Sequence, residues 1–348
     1  MLLEKRISAF VQLGKILEYF TSEKNWPGYE CGLNEEEFDR FNNQIKLASI
    51  QNKWFTEEFV RLSLAGIVKM LDEKNLQKWS DSYTIDQTEK KSIALIMAGN
   101  IPMVGFHDVM CVLVSGHKAL VKMSSEDNIL LTEIFKILTH IAPDFTDKIK
   151  IANEKLNGYD AVIATGSNNS ARYFKSYFKN VPHIIRKNRT SIAILDGNES
   201  DETLELLADD IFLYFGLGCR NVSKIFIPEN FDLDRIFKAL YKYKDILNHN
   251  KYANNYDYNK TIYLMNQVEI LENGFHILKK DSGLHSPLAV SYYERYSRAE
   301  DVKAFIDKYE DEIQCIVSNK DIAFGQAQFP EIDDYADGVD TMQFLGEV

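Results

Sequence analysis

From Ser92 onward, short apolar runs alternate with longer segments in which apolar residues recur at helical spacing. Residues 93–97, 119–123 and 161–164 predict buried strands, and a further strand is predicted at 149–153. Strands that alternate with helices form βαβ units, which build parallel sheets with helices on both faces. In such sheets, ligands bind beyond the carboxyl ends of the strands. The sequence therefore predicts an α/β protein with functional loops at the edges of its sheets.

The second half of the chain shows the same alternation with a different sequence. Its strands are predicted at residues 191–195, 222–227, 263–264, 289–292 and 313–317. Its helices are predicted at residues 202–215, 233–243 and 299–309. The segment 244–260 is rich in Asn, Lys and Tyr, which predicts a solvent-exposed excursion. With 348 residues, the chain is long enough for two domains.

Helices are predicted before the first strand, over residues 4 to about 78. Asn34, which is followed by three glutamates, is typical of a capping box, and Thr56 is predicted to open another helix. Ser124 or Ser125 is predicted to cap the helix that follows the second strand.

A basic loop at residues 186–189 is the expected boundary between the two α/β halves. It predicts a first domain over residues 1–187, which includes the helical leader, and a second domain over residues 188–325. Residues 326–348 are predicted to form a C-terminal tail.

Composition and charge exclude several classes of function. The net charge of −12 argues against a general nucleic-acid-binding protein. No apolar run reaches the roughly 18 residues of a membrane span, and the N-terminus is charged too early for a secretory signal. The four cysteines and the histidines show no metal-ligand or disulfide spacing. We therefore expect a reduced, cytoplasmic protein without a structural metal.

A single cysteine stands in the segment Phe215-Gly216-Leu217-Gly218-Cys219-Arg220-Asn221-Val222-Ser223-Lys224, between a predicted helix and a predicted strand. The glycines allow backbone conformations that present the sulfur in a cleft. Positive charge on Arg220 and Lys224 favours the thiolate, which is the nucleophilic form of cysteine. The alternative is a buried structural cysteine, because free cysteines are among the most buried residues.

Polar residues also stand in loops predicted directly after strands, and the Cys219 loop is grouped with them at a sheet edge. These residues are Asn100, Lys122, Ser124, Ser125, Thr165, Gly166 and Ser167. The amides and hydroxyls of the last three suit a phosphate at a helix start. Ordinary roles stay open, since Asn100 is also a suitable helix cap, Lys122 a solvated charge and residues 165–167 an ordinary turn. Neither a G-x-G-x-x-G fingerprint nor a P-loop occurs.

In order, spacing and chemistry, these loops resemble those of the aldehyde dehydrogenase superfamily. The likeness is greatest to its acyl-CoA reductase branch, which supplies aldehyde to bacterial luciferase. The matching segments, over roughly residues 90–345, are Asn100-Ile101-Pro102, Lys122 with Ser124 and Ser125, Thr165-Gly166-Ser167, Gly216-Leu217-Gly218-Cys219, Ser286-Pro287-Leu288-Ala289-Val290 and Phe324-Gly325. The resemblance implies an aldehyde dehydrogenase-like fold of two three-layer α/β domains with an N-terminal helical leader.

The resemblance also implies a role for each loop. Cys219 would be the nucleophile, and Asn100 would bind the oxyanion. Lys122, Ser124 and Ser125 would hold the adenosine ribose of a nicotinamide cofactor, and a second group would flank its nicotinamide and pyrophosphate. That second group is Thr165, Gly166 and Ser167. On this assignment the first domain binds the cofactor and the second carries out catalysis.

Two departures from the superfamily pattern bear on the reaction. Hydrolytic members carry a glutamate that activates water, whereas residues 184–190 here contain no carboxylate. Water attack on a thioester should then be slow, which favours exchange with a thiol such as coenzyme A. The acid that holds the nicotinamide ribose falls near Gly283, so Asp281 or His285 is the expected replacement.

The expected function is reduction of an acyl-CoA, or of another acyl thioester, to an aldehyde through a cysteine thioester. NADPH is the expected cofactor, because Ser125 is small and neutral where NAD-selective relatives often carry a glutamate, and Lys122 attracts a phosphate. The neighbouring Glu126 weakens this preference, so NADH remains an alternative.

Two other functions stay open at this point. One is a catalytically degenerate acyl-binding or scaffold protein of the same fold, which Gly283 favours. The other is an NAD-dependent aldehyde oxidiser, which the missing glutamate disfavours. Related tails make oligomer contacts, so residues 326–348 suggest a homo-oligomer, with a frayed terminus as the alternative.

Overall fold

A computed structural model of the protein describes residues 1–85, 89–152 and 155–348. The chain divides into two compact units. The first comprises Met1–Lys187 together with Glu331–Val348, and the second comprises Asn188–Pro330. The C-terminal residues from Glu331 onward therefore belong to the same unit as the N-terminal helices.

The leader of the first unit is helical, as the sequence predicts. Its helices are α1 (Leu3–Leu17), α2 (Glu35–Gln51), α3 (Glu57–Met70) and α4 (Glu73–Ser80). The capping box is confirmed, because the Asn34 side chain accepts the Glu37 amide and the Glu37 carboxylate accepts the Asn34 amide. Thr56 caps α3 by accepting the Phe59 amide.

Within the described residues, the first unit contains one parallel sheet of five strands. The strands are β1 (Ser92–Ile96), β2 (Lys118–Lys122), β3 (Ile149–Ile151), β4 (Ala161–Thr165) and β5 (His183–Arg186), and their order is β3-β2-β1-β4-β5. The α/β prediction is confirmed. The chain proceeds from β1 to one side of the sheet and returns to the other side at β4. The loops after β1 and β4 therefore flank a topological switch point, where α/β sheets bind ligands.

Helices α5 (Phe106–Val114), α6 (Leu130–Ile141) and α7 (Asn168–Tyr177) connect these strands. Ser167 caps α7 by accepting the Ser170 amide. The prediction that Ser124 or Ser125 caps the next helix is wrong, because α6 begins at Leu130 without a side-chain cap. The Ser124 hydroxyl instead accepts the Glu126 amide at 3.2 Å and shapes the loop before the helix.

Two further points concern strands of the first sheet. The strand predicted at 149–153 is found at Ile149–Ile151, and Asn153 lies outside the described residues. The sequence predicts that Arg186 lies in a loop, but Arg186 ends β5, where it is buried against Asp108 and donates to Thr341 Oγ1 at 3.0 Å. Four residues between a proline and a basic run are too few for periodicity to predict this strand.

The second unit holds six strands in its described residues. They are β6 (Thr190–Ile194), β7 (Val222–Pro228), β8 (Leu271–Glu272), β9 (Ile277–Lys280), β10 (Val290–Tyr296) and β11 (Ile313–Val317), in the order β11-β6-β7-β10-β9-β8. Neighbouring strands are parallel except β8, which pairs with β9 in antiparallel fashion at the edge. The helices are α8 (Asp201–Phe212), α9 (Leu233–Leu240), α10 (Asn250–Met265) and α11 (Ala299–Lys308).

Helix α10 contradicts two predictions. The segment 244–260 is not a solvated excursion, and residues 263–264 are not a strand, because both fall largely within this helix. Its inner face carries Tyr252, Tyr256 and Asn259, which are buried and whose polar ends bond to His276, Glu272 and the Leu288 carbonyl respectively. A buried stripe of polar-ended side chains escapes a search for apolar periodicity.

The chain ends in α12 (Thr341–Glu347), which belongs to the first unit. Met342 and Leu345 are buried, and the Leu345 carbonyl lies 2.9 Å from His117 Nε2. Across the described ranges, we find no helix that combines the length and the apolar character of a membrane span.

Candidate active site

Cys219 lies in the second unit, in the loop that joins α8 to β7. All four cysteines fall within the described residues, and Cys219 is half-buried whereas Cys31, Cys111 and Cys315 are buried. The loop does not follow a strand, as the grouping with the other loops implied, but precedes β7. Cys219 is therefore presented at the amino end of a strand by the loop that leaves a helix.

The backbone before Cys219 has an unusual conformation. Tyr214, Phe215 and Gly216 have φ values of 54°, 57° and 78°. Left-handed backbone costs roughly 1–2 kcal/mol for each non-glycine residue, so the surrounding contacts must hold it. Both aromatic side chains are buried, and the Phe215 ring stacks on the His249 imidazole with 4.1 Å between ring centroids. The loop is thus fixed by packing at this end.

Hydrogen bonds define a tight turn at the sulfur. The Asn221 amide N–H donates to the Gly218 carbonyl at 3.1 Å, which closes a β-turn with Cys219 and Arg220 at its centre. The Asn221 Oδ1 accepts the Gly218 N–H at 2.8 Å. From β6, Ser191 Oγ donates to the Cys219 carbonyl at 3.0 Å. The backbone of Cys219 is therefore held on both sides.

The two cations expected to favour the thiolate have other partners as well. Arg220 Nε donates to the Ala327 carbonyl at 2.5 Å. Lys224 is fully buried, lies 2.6 Å from the Glu294 carboxylate and sits over the rings of Phe226 and Phe305. Burial lowers the pKa of Lys224, against the effect of Glu294. The Lys224 charge is thus paired with the Glu294 carboxylate.

The turn that contains Asn100 follows β1 in the first unit, and Asn100 is exposed. It does not cap α5, which begins at Phe106 after Gly105. Ser63 Oγ donates to the Pro102 carbonyl at 2.7 Å, and the Met103 amide, at a φ of 57°, donates to Asp127 Oδ2 at 2.6 Å. Burial raises the pKa of Asp127 to about 7.

The predicted cofactor-binding residues lie at the carboxyl edge of the first sheet. Lys122 ends β2, and Thr165 ends β4, directly before Gly166 and the helix cap Ser167. A Cβ on Gly99 would collide with the Ser124 side chain, so the loops after β1 and β2 are in direct contact. The Ser125 carbonyl accepts Gln51 Nε2 at 2.9 Å.

The structure thus collects the candidate residues into two groups. Asn100 and the cofactor-binding residues share one sheet edge of the first unit, and Cys219 belongs to the second unit. Among the first group, strands β2, β1 and β4 are direct neighbours, which brings the loops after them to one side. A polar cradle at a topological switch point is a suitable site for a dinucleotide.

The two candidates for the missing ribose acid are engaged elsewhere. Asp281 Oδ1 accepts the Gly283 amide at 2.7 Å, and Oδ2 forms an ion pair with Lys279. His285 Nε2 lies 3.0 Å from Glu312 Oε2. The sequence does not predict these contacts. Asp281 and His285 therefore both bond to neighbours within the second unit.

Three polar residues that hold loops of the two units are not predicted by the sequence analysis. In the sequence, Asn221 is part of a polar run, and an asparagine between a cysteine and a strand is a signal for a side-chain turn. Asp127 sits beside Glu126 and looks like a solvated charge in the sequence. Asp210, on α8, accepts the amides of Gly325 and Ala327 at 2.7 and 3.0 Å.

Comparison with known proteins adds the family and the fold. Residues 32–270 match the model of the acyl-CoA reductase (LuxC) family. The long-chain acyl-protein thioester reductase of Aliivibrio fischeri is 25% identical over 239 residues, which covers 62% of this chain and 48% of that protein. The chain thus spans about half the length of the curated relative it matches.

Solved structures of aldehyde dehydrogenases are similar at low sequence identity. Aldehyde dehydrogenase 21 of Physcomitrella patens, in complex with succinate, matches with a TM-score of 0.65 and 12% identity over 99% of this chain and 87% of that one. The Mycobacterium tuberculosis aldehyde dehydrogenase, complexed with NAD+, matches with a TM-score of 0.64 and 13% identity over 94% and 76%. The predicted aldehyde dehydrogenase-like fold is confirmed.

Proposed function

Because this chain belongs to the acyl-CoA reductase (LuxC) family, we propose that it reduces an acyl thioester to an aldehyde through a covalent acyl-Cys219 intermediate. The observation that carries the proposal is the Cys219 turn, which holds a half-buried sulfur at the corner of a hydrogen-bonded loop. A nucleophile needs both access and a fixed direction. The other three cysteines are buried and lack that access.

The residues of this chain have defined tasks in the reaction. The Cys219 thiolate attacks the carbonyl carbon of the acyl thioester, and the bond from that carbon to the carrier sulfur breaks, so that the carrier leaves as a thiolate. The Asn100 amide group and the Cys219 backbone N–H donate to the oxyanion of the tetrahedral intermediate. After reduction, the carbon–sulfur bond to Cys219 breaks, which returns the thiolate and releases the aldehyde.

A nicotinamide dinucleotide supplies, when bound, the two electrons that the reduction consumes. The cradle of Lys122, Ser124, Ser125 and residues 165–167 fits such a group, because it lies at a switch point of a parallel sheet and combines a cation, hydroxyls and a capped helix start. We favour NADPH, since Ser125 is neutral and Lys122 is close in sequence. Some of the structurally similar aldehyde dehydrogenases are complexed with NAD+.

Thioester exchange is favoured over oxidation to an acid. The segment 184–190, which contains the end of β5, provides no carboxylate to activate water. Without such a base, an acyl-Cys219 persists until it is reduced or meets a thiol. The acyl donor is an acyl-CoA or an acyl-protein thioester, and the name of the Aliivibrio fischeri relative makes the second worth testing.

A second candidate function is supported by the contacts of Asp281 and His285. Both candidate ribose ligands are bonded within the second unit, to Lys279 and Gly283 and to Glu312. A protein without a nicotinamide-ribose acid fits the alternative of a degenerate acyl-binding protein of the same fold. It would bind acyl thioesters without turnover.

The decisive experiment incubates the purified chain with NADPH or NADH and acyl-CoAs of graded length, and identifies the products. We expect aldehyde with the wild type, acyl-Cys219 by mass spectrometry when the reductant is omitted, and neither product with Cys219→Ala. Cys31→Ala, which changes a buried cysteine of the first unit, is the matched control and should retain activity. Aldehyde formation by Cys219→Ala would contradict the mechanism, and acyl binding without acylation would favour the degenerate protein.

A further inference from the structure

The end of helix α8 is capped by the side chain of Asn221, which follows Cys219 by two residues. The last carbonyls of a helix have no partner within the helix and need donors from elsewhere. Asn221 Nδ2 donates to the carbonyls of Asp210, Ile211 and Leu213 at 3.1, 3.3 and 2.9 Å. Asn221 is almost fully buried, so water does not replace these bonds.

The same side chain holds the cysteine turn. Asn221 Oδ1 accepts the Gly218 N–H at 2.8 Å, and the Asn221 backbone N–H returns to the Gly218 carbonyl at 3.1 Å. Cys219 and Arg220 are thereby enclosed between two bonds that both end on Asn221. One planar amide group joins the helix end on its nitrogen side to the cysteine turn on its oxygen side.

Further contacts show that the position of Asn221 is itself determined. Its carbonyl accepts the Ser191 amide at 3.2 Å and the Thr190 hydroxyl at 3.3 Å, which ties it to β6. Strand β7 begins at the next residue, Val222. The backbone of Asn221 is therefore fixed to the sheet, and its side chain bonds from there to the end of α8 and to the Cys219 turn.

We propose that Asn221 is a positioning residue for the reaction at Cys219. Its amide group fixes the turn against the end of α8 and so sets the direction from which the sulfur reaches the thioester carbonyl. This role rests on the proposed function, in which Cys219 is the nucleophile. Misplacement of a reacting group by about 1 Å costs on the order of 100-fold in rate.

Aspartate tests the nitrogen side of the amide at nearly constant size. Asn221→Asp keeps an oxygen for the Gly218 N–H but removes the Nδ2 donors to the Asp210, Ile211 and Leu213 carbonyls and sets a carboxylate against them. Asn273→Asp is the matched control in the same unit, because Asn273 Oδ1 accepts the amides of Phe275 and His276 while its Nδ2 is buried without a partner among the described residues.

The experiment compares steady-state reduction of acyl-CoA, acylation of Cys219 in a single turnover, and alkylation of Cys219 by iodoacetamide. All are measured below the melting temperature of each variant. For Asn221→Asp we expect kcat and the acylation rate to fall about 100-fold. We expect KM to stay within about threefold, because the carrier-binding surface is unchanged. Asn273→Asp should match the wild type.

These measurements also distinguish a positioning role of Asn221 from a purely structural one, and test it separately from the proposed role of Cys219. A folded Asn221→Asp protein with wild-type kcat and acylation would overturn the positioning role while Cys219→Ala still tests the nucleophile. Failure of the wild type to form acyl-Cys219 would overturn both. If Asn221→Asp does not fold, Asn221→Ser is measured, which keeps a shorter donor and acceptor. It should lose about tenfold in kcat, and wild-type kcat would overturn the role.

Discussion

The two turns that carry the candidate catalytic groups are held by opposite kinds of side chain. Around Cys219, the holding groups are the neutral amide of Asn221 and the neutral hydroxyl of Ser191. Beside Asn100, the Met103 amide is held by the buried carboxylate of Asp127. The Asp127 Oδ1 has no hydrogen-bond partner in the part of the chain that the structure describes.

This difference teaches how each turn should respond to pH. Neutral amides and hydroxyls do not titrate in the physiological range, so the Cys219 turn keeps its bonds across it. Burial raises the pKa of Asp127 to about 7, so its carboxylate gains or loses charge in that range. The side chains of Asn221 and Ser191, which bond directly to the Cys219 turn, therefore include no titrating group, whereas the Asn100 turn is held by a titrating carboxylate in addition to the Ser63 hydroxyl.

The largest effect on kcat in this comparison is expected from removal of the Asn100 side chain, the proposed oxyanion donor. Asn100→Ala should lower kcat by roughly 100- to 1,000-fold, because an oxyanion donor is lost. The melting temperature should change by only a few degrees, because the side chain is exposed. Kinetics and thermal unfolding check this, with the exposed Asn157→Ala as the control. A kcat within about threefold of the wild type would remove Asn100 from the mechanism.

The choice of cofactor tests the loop beside Asp127. Ser125→Glu places a carboxylate where the proposal puts the 2′-phosphate of NADPH. We expect kcat/KM with NADPH to fall about tenfold or more and kcat/KM with NADH to change little, since like charges repel. Ser125→Gln, of similar size but neutral, is the control for steric effects. Equal losses with both cofactors would argue against a phosphate at this position.

Asp127→Asn tests the titrating carboxylate near Asn100 through the pH dependence of the free energy of unfolding. With a folded pKa of about 7 and an unfolded value near 3.8, the folded wild type binds more protons between these values. The free energy of unfolding of the wild type therefore falls as the pH rises through this window. The variant lacks this slope and should gain on the order of 4 kcal/mol over the wild type between pH 4 and pH 8.

Urea unfolding of both proteins at several pH values measures this gain. Asparagine retains an oxygen for the Met103 amide, so the turn keeps its bond. Glu126→Gln, a change at the adjacent exposed carboxylate, should give the same pH dependence as the wild type. A constant difference between Asp127→Asn and the wild type at all pH values would show that the Asp127 carboxylate does not titrate in this window.

The sequence predicts the two turns unequally, for a physical reason. Strand–helix alternation predicts β1, β2 and β4 and therefore places Asn100, Lys122 and Thr165 at one sheet edge. Periodicity reports which residues face a core, and parallel strands follow from it directly. The groups that hold the turns do not follow, because Asn221 and Asp127 are polar residues in short loops whose partners are backbone atoms distant in sequence.

The same limit explains the error at α10. Its buried face consists of Tyr252, Tyr256 and Asn259, whose polar ends are satisfied by partners that the sequence does not reveal. A pattern search treats such residues as solvent-facing. Polar groups that are buried because they are paired can therefore be found in the structure but not in the composition of the segment.

The smallest effect is expected at Ser191, and it tests whether the Cys219 turn is held by several independent bonds. Ser191→Ala removes the donor to the Cys219 carbonyl and the acceptor for the Cys315 amide. Because Asn221 still holds the turn, we expect kcat to fall roughly fivefold, which corresponds to about 1 kcal/mol for one lost hydrogen bond. The fall in kcat should be the same from pH 6 to pH 8. Ser318→Ala, at another buried serine of the second unit, should leave kcat unchanged. If kcat of Ser191→Ala falls as far as that expected for Asn221→Asp, the bonds from Ser191 and Asn221 to the Cys219 turn act as one unit. If the fall in kcat depends on pH, the contrast between the neutral side chains at Cys219 and the titrating carboxylate near Asn100 is wrong.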